Sequence, residues 1–210
     1  MKLISTILLA ISTLTIFAQN GNFNKVKNFE TIAAKLNTAS KNTKSIDSDF
    51  KQFKHLDILE NDLKSTGHFC FYAPDKVRWE YMKPYEYLIV MNGNMMWIKD
   101  NGKIKKYDTR SNKMFKEIND LMVGMLQGKI LKSNKFDIEF YEDSKRILAK
   151  LKPKSADMQE FLNEMQLYFD KKNYTVLKIK MLEQSGDYTL IEFYNRKMNI
   201  KIPNSKFLLH

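Results

Sequence analysis

His68 and Cys70 are two residues apart, a spacing that on a β-strand sets an imidazole and a thiol on the same face. A thiol beside an imidazole is the beginning of a nucleophile–base pair. No third, orienting group accompanies them in the sequence, so they read as strand neighbours rather than as catalytic partners. The three histidines, His55, His68 and His210, lie too far apart for metal-ligand spacing. Glu139 and Glu142 read as solvated strand and turn residues, and there is no glycine-rich phosphate loop and no serine elbow. No catalytic residue, metal ligand or cofactor is assigned, and the chain is read as no enzyme.

Composition narrows the class. The 210 residues are 43% hydrophobic, 28% charged and 12% aromatic, which fits one globular domain and argues against disorder. A single cysteine excludes a disulfide framework within the chain. The net charge of +11 brings nucleic acid, an anionic membrane or an acidic partner to mind first.

The amino terminus decides among them. Met1-Lys2, the apolar stretch Leu3 to Phe17 and the small Ala18 make the three-part layout of a secretory signal. The stretch is short for a spanning helix. Residues 1–18 are therefore read as a signal peptide and residues 19–210 as one domain, exported, periplasmic, soluble and monomeric. No cysteine stands near the cut, so no lipid is attached there. Nucleic acid drops out as a partner, and the basic charge turns towards envelope surfaces.

The elements follow from patterning. Phe29, Ile32, Ala33 and Leu36 recur at helical spacing between about Lys25 and Thr43. Eleven strands come after: 46–53, 67–72, 77–81, 87–91, 95–99, 103–107, 136–141, 147–151, 167–170, 176–182 and 188–194, separated by turn residues such as Asn92-Gly93 and Asn101-Gly102. Met114, Ile118, Leu121, Met122 and Met125 share one face of a second helix, and Met158, Phe161, Leu162 and Met165 suggest a shorter third. Leu88 and Val90 alternate with Ile89 and Met91, so these middle strands are apolar on both faces and both must be covered.

The run Gly67-His68-Phe69-Cys70-Phe71-Tyr72-Ala73-Pro74-Asp75-Lys76-Val77-Arg78-Trp79-Glu80-Tyr81 resembles the signature of the LolA-type periplasmic lipoprotein carriers. Pro84, Asn92-Gly93, Trp97 and the earlier Phe50-Lys51-Gln52 are similar to the same pattern. The close resemblance covers residues 46–107. It implies a mainly β, α+β fold: an incomplete antiparallel β-barrel of about eleven strands with a lid of about three helices. It also implies that acyl chains of lipoproteins are carried between inner and outer membrane. An inner-membrane ABC-type lipoprotein-releasing complex would load the carrier, and an outer-membrane acceptor would unload it.

Within that resemblance, Trp79, Tyr81, Leu88, Val90 and Met96 are candidates for the cavity wall, although parity alone leaves open which face points inward. Met114, Ile118, Met122, Met125, Met158 and Phe161 are candidates for the lid, since Met adapts to varied cargo shapes. The same side chains would also suit an ordinary closed core. Pro74, Arg78 and Trp79 match the family motif, with Arg78 on the face opposite Trp79, free to pair with an acidic neighbour. Ala73 departs from the arginine that many carriers place before this proline, so a latch through that arginine cannot operate. The chain stops soon after Ile202-Pro203-Asn204, where family members often continue into a last strand. Two alternatives stay open: the same fold carrying a free lipid, glycolipid or polyene-type precursor, or a lipid-sensing envelope interaction module. Lys103, Lys105 and Lys106 are candidates for membrane or transporter contact.

Overall fold

A computed structural model describes residues 22–111, 124, 129–132 and 134–209. The expected signal segment and the second lid helix, with Met114, Ile118, Met122 and Met125, lie outside the described residues.

Helix α1 spans Phe29–Asn42. Asn28 caps it, its side-chain oxygen accepting from the Thr31 N–H at 3.3 Å, and Glu30 and Lys41 sit at the ends that favour their charges. The helix was expected from about Lys25. Instead β1, Asn24–Lys25, pairs with a later strand, and Lys25 Nζ meets Glu139 Oε1 at 2.5 Å.

All eleven strands expected from patterning are present: β2 Ser45–His55, β3 Leu63–Tyr72, β4 Lys76–Lys83, β5 Tyr87–Asn92, β6 Met95–Asp100, β7 Lys103–Asp108, β8 Phe136–Glu142, β9 Arg146–Pro153, β10 Glu164–Asp170, β11 Val176–Leu182 and β12 Tyr188–Met198. With β1 they make one antiparallel sheet in the order β1-β8-β9-β10-β11-β12-β2-β3-β4-β5-β6-β7. The sheet is open, a half-barrel with β1 and β7 at its edges. The Asn101-Gly102 turn joining β6 to β7 has positive φ at both residues, the geometry that matches the twist of a two-residue hairpin.

Two hydrophobic clusters lie on opposite faces. The inner-face cluster runs across the sheet, from Phe50, Phe69, Val77, Trp79 and Met96 to Ile147, Leu151, Met165 and Leu167. Ile32 and Leu36 of α1 pack onto it, as do Ile130 and Leu131 of a 3-10 turn at Lys129–Lys132. Gly67 lets β3 and β4 close up there: a Cβ on it would stand 1.9 Å from the Glu80 carbonyl oxygen and 2.7 Å from the Phe50 ring. The outer-face cluster is smaller, with Cys70, Leu88 and Val90 sealed by Ile202 and Phe207 of the carboxy-terminal segment.

The third lid helix is a correction. Helix α2 is a single turn, Ala156–Gln159, in the β9–β10 connection. Asn163 N–H then bonds Leu182 O at 2.8 Å, and Met165 enters β10, where Met165, Leu167 and Phe169 all point inward. Met158 packs half-buried against the inner cluster, Leu162 is buried, and Phe161 is 73% exposed. The helical spacing of these four residues straddles a turn and a strand. No helix among the described residues is long and apolar enough to cross a membrane.

Candidate functional site

The inner face holds an apolar cavity of about 40 Å³. Ile46, Phe69 and Trp79 of β2, β3 and β4 form one wall, and Ile179, Phe193 and Met198 of β11 and β12 form the other. The cavity therefore lies where β12 meets β2, the seam between the amino-terminal and carboxy-terminal halves of the sheet. Ser48, Thr175 and Arg196 are its polar members. The Ser48 hydroxyl lies 2.9 Å from the Tyr194 and Asp49 carbonyl oxygens, so its proton is taken by backbone.

Trp79 anchors the wall. Its ring lies 5.3 Å from Phe50, 5.1 Å from Phe69 and 6.0 Å from Phe193, centroid to centroid. Its indole N–H is buried and makes no well-formed hydrogen bond among the described residues, although it acts on the Tyr81 hydroxyl beside it and tempers the rise in that phenol's pKa. Leaving such a donor unmade costs about 1–3 kcal/mol. Beside it the Tyr81 hydroxyl donates to Gln52 Oε1 at 2.8 Å, and burial pushes the phenol up to about 12. Phe50 and Gln52 share the inner face through β2 alternation, so two separate parts of the sequence signature meet here.

Of the expected wall residues, Trp79, Tyr81 and Met96 lie on the inner face, although only Trp79 lines this cavity. Leu88 and Val90 do not join them. Register pairs Trp79 with Ile89 and Arg78 with Val90, so Leu88 and Val90 share the outer face with Arg78. Arg78 grips Glu80 with a two-pronged contact at 2.9 and 3.0 Å and donates to Lys206 O at 3.3 Å, which ties the carboxy-terminal segment down. Pro74 follows a cis bond from Ala73 in the β3–β4 turn. The three lysines divide: Lys105 pairs with Ile98 and Lys103 follows its inner side, whereas Lys106 lies outside over the Trp97 ring at 5.6 Å.

The His68–Cys70 pair sits on the outer face, and β2 brings two further groups that the sequence reading did not connect to it. His68 Nε2 lies 3.1 Å from Asp47 Oδ2 and Nδ1 lies 2.8 Å from Asp49 Oδ1. The Cys70 thiol donates to Asp47 Oδ2 at 3.4 Å. Asp47 and Asp49 alternate on one strand face, but only the β2–β3 register sets them opposite Cys70 and His68. Burial tends to lower the imidazole's proton affinity, yet the bonds to Asp49 and Asp47 outweigh it and the net shift is upward. Burial, with the bond to Asp47, pushes the Cys70 thiol up to about 12, so it stays protonated and is a poor nucleophile. Asp47, His68 and Cys70 bring an oxygen, a nitrogen and a sulfur within 4.8 Å of one another, the donor types of a metal site. Those donors already satisfy each other, and the thiol proton would have to leave first.

Comparison with known proteins agrees with this architecture. The family model described as outer membrane lipoprotein carrier protein LolA matches residues 41–210. An outer-membrane lipoprotein carrier protein of Legionella pneumophila (strain Corby) is 25% identical over 150 residues, covering 69% of this chain and 68% of that protein. One from Chromobacterium violaceum is 24% identical over 185 residues, covering 83% and 81%. Among solved structures, an uncharacterized conserved protein from Thermus thermophilus shares the fold with a TM-score of 0.53 at 10% identity, covering 85% of this chain and 91% of that one.

Proposed function

Because the chain belongs to the LolA family of outer-membrane lipoprotein carrier proteins, we propose that it is a periplasmic carrier whose inner face shields the acyl chains of lipoproteins. In this reading residues 1–18 are a signal peptide and residues 19–210 one soluble, monomeric domain. The chain is loaded by an inner-membrane ABC-type complex and unloaded at an outer-membrane acceptor. It performs no reaction: the task is to enclose, cross and release.

One observation carries the reading, the apolar cavity at the seam of the inner face, the face on which α1 also packs. Each CH₂ removed from water contributes about 0.8 kcal/mol, so enclosing even one long acyl chain is worth on the order of 10 kcal/mol. A cavity of about 40 Å³ takes only a few water-sized spheres and cannot hold such a chain as it stands. Cargo enters only if the inner face opens, as by movement of α1 away from the sheet. Helix α1 buries just two side chains fully enough to count as core, Ile32 and Leu36. At about 1.5–3 kcal/mol each, their hold is smaller than the gain from one acyl chain. Trp79, Tyr81 and Met96 on the sheet, with Met158 at its end, are the surfaces proposed to meet the cargo.

The test is transfer. Incubated with membranes containing a triacylated lipoprotein, the full chain should extract it into the aqueous phase and co-purify with it from the envelope. A chain that stays lipid-free in both experiments overturns the proposal.

A further inference from the structure

Four side chains with metal-ligating or titratable groups meet on the outer face, away from the apolar cavity, and the β2–β3 register brings them together. Asp47 stands opposite Cys70 and Asp49 opposite His68, so two carboxylates face a thiol and an imidazole across one pair of strands. Asp47 Oδ2 is the meeting point, 3.1 Å from His68 Nε2 and 3.4 Å from Cys70 Sγ. Bond lengths to zinc of about 2.0 Å for oxygen and nitrogen and about 2.3 Å for sulfur fix the edges of a tetrahedral site. They set oxygen and nitrogen about 3.3 Å apart, and oxygen and sulfur about 3.5 Å apart. Two edges of such a site are therefore already in place. The third, from nitrogen to sulfur, lies within 4.8 Å and has to shorten to about 3.6 Å.

The surroundings favour the ligand form of each group. A carboxylate only accepts, so His68 Nδ1 donates to Asp49 Oδ1 at 2.8 Å and leaves Nε2, the other ring nitrogen, facing Asp47. Asp49 is itself held, its Oδ2 accepting from Asn195 Nδ2 at 2.9 Å. Asn195 reaches it from the bulge where the β12–β2 register shifts, at φ +51°. A carboxylate behind a histidine is the usual outer partner of a metal-bound imidazole. Asp47 and a Cys70 thiolate supply two negative charges and the imidazole none, so a divalent ion leaves this partly buried site neutral. Mixed oxygen, nitrogen and sulfur donors suit zinc and its neighbours, whereas magnesium and calcium take oxygen alone. Cys70 is fully buried while the His68 and Asp47 side chains are 24% and 26% exposed, so an ion reaches the cluster from their side.

We propose that Asp47, His68 and Cys70 bind a zinc-type divalent transition-metal ion, with Asp49 as the positioning residue behind His68. The protons now shared among these donors leave as the ion enters. The thiol always gives one up, and Nε2 gives up another wherever His68 is protonated, while Nδ1 keeps its proton on Asp49. No electron is transferred. Because the thiol starts protonated, binding tightens by about tenfold per pH unit for each proton displaced. The ion pins β2 to β3 on the outer face, and the inference stands independently of the carrier reading.

Cobalt(II), a spectroscopic stand-in for zinc, is the probe. Added to the reduced, untagged full chain in mildly alkaline solution, it should give a near-ultraviolet thiolate-to-cobalt charge-transfer band and the visible bands of a four-coordinate site. Zinc should bleach both and raise Tm, and a chelator should reverse the stabilisation. Asp49→Asn leaves all three ligands in place and should weaken cobalt affinity about 10- to 100-fold. Cys70→Ser should abolish the charge-transfer band. A wild-type chain that takes up no cobalt, or takes it up without the thiolate band, overturns the site, and neither result needs a variant to fold. Unchanged affinity in a folded Asp49→Asn variant overturns the positioning role of Asp49.

Discussion

The two faces of strands β3 to β5 are both apolar and both covered, yet they are covered in opposite ways. On the outer face Phe207 is fully buried, and polar ties stitch its segment down: Asn199 N–H to Ser45 O at 2.9 Å, Ser45 Oγ to Ile200 O at 2.5 Å, and Lys76 Nζ to Asn204 Oδ1 at 2.7 Å. On the inner face α1 packs through Ile32 and Leu36, and the same face carries an apolar cavity at the β12–β2 seam. Directional bonds lock a surface to one particular partner, whereas apolar contacts accept any shape of adequate size. Among the described residues, the outer face is closed by directed bonds, whereas the inner face is covered by apolar contacts.

The largest test of that contrast is Phe207→Ala. It should cost about 3–5 kcal/mol of stability, the range for a buried phenylalanine, and leave affinity for an apolar probe unchanged in the protein that remains folded. Denaturant unfolding and probe titration measure the two separately. Leu36→Ala should cost less, about 2 kcal/mol, and should speed uptake of an apolar probe by loosening the cover. If Leu36→Ala slows uptake, or Phe207→Ala abolishes it, the assignment of seal and lid is reversed. Next in size is docking. Lys103→Glu with Lys105→Glu, on the inner side of edge strand β7, should weaken binding to anionic vesicles by about 1 kcal/mol per lysine, and Lys106→Glu on the outer side should do so less. Equal effects from both sides, or binding indifferent to salt, return these lysines to guarding an exposed sheet edge.

The smallest effect is a pH dependence of the outer seal. The raised proton affinity of His68 contributes stability fully below its unfolded pKa of about 6.5, and that contribution is lost as pH rises through the folded value. Asp49 has the opposite sign. Its carboxyl is lowered by hydrogen bonds from His68 and then Asn195, so its contribution is present above about pH 4 and is lost as pH falls through the folded value. Thermal unfolding across pH 4–9 should show Tm falling on the alkaline side, and His68→Gln should flatten that limb. An unchanged limb in the variant removes His68 from the account.

Much of this architecture was legible beforehand. The strands announced themselves because one face of each repeats every second residue between turn-forming pairs, and the cover over both faces of β5 followed from the unbroken apolar run Leu88 to Met91. Four features were hidden, each for a reason that resides in pairing rather than in local pattern. Leu88 and Val90 could be assigned to a face only once Arg78 was known to sit opposite Val90. Met165 fits helical spacing from Met158, Phe161 and Leu162 as well as it fits alternation with Leu167 and Phe169, and the turn at Asn163 decides for the strand. Arg196 was invisible because the bulge at Asn195 inverts the parity that alternation would have assigned. The cavity wall was partly foreseen through Trp79, but its second half, Ile179, Phe193 and Met198, was not, since nothing local says that β12 lies beside β2.

That adjacency also has a temporal meaning. Strands β2 to β7 and β8 to β12 are two runs of neighbouring hairpins, each able to zip locally, and they join only where β2 meets β12. Loop closure over so many residues is slow compared with hairpin formation, so the seam is expected to be the last part of the sheet to assemble. The cavity draws its walls from both sides of that seam. A chain still being made has strands but no such cavity, which closes only when β12 docks against β2.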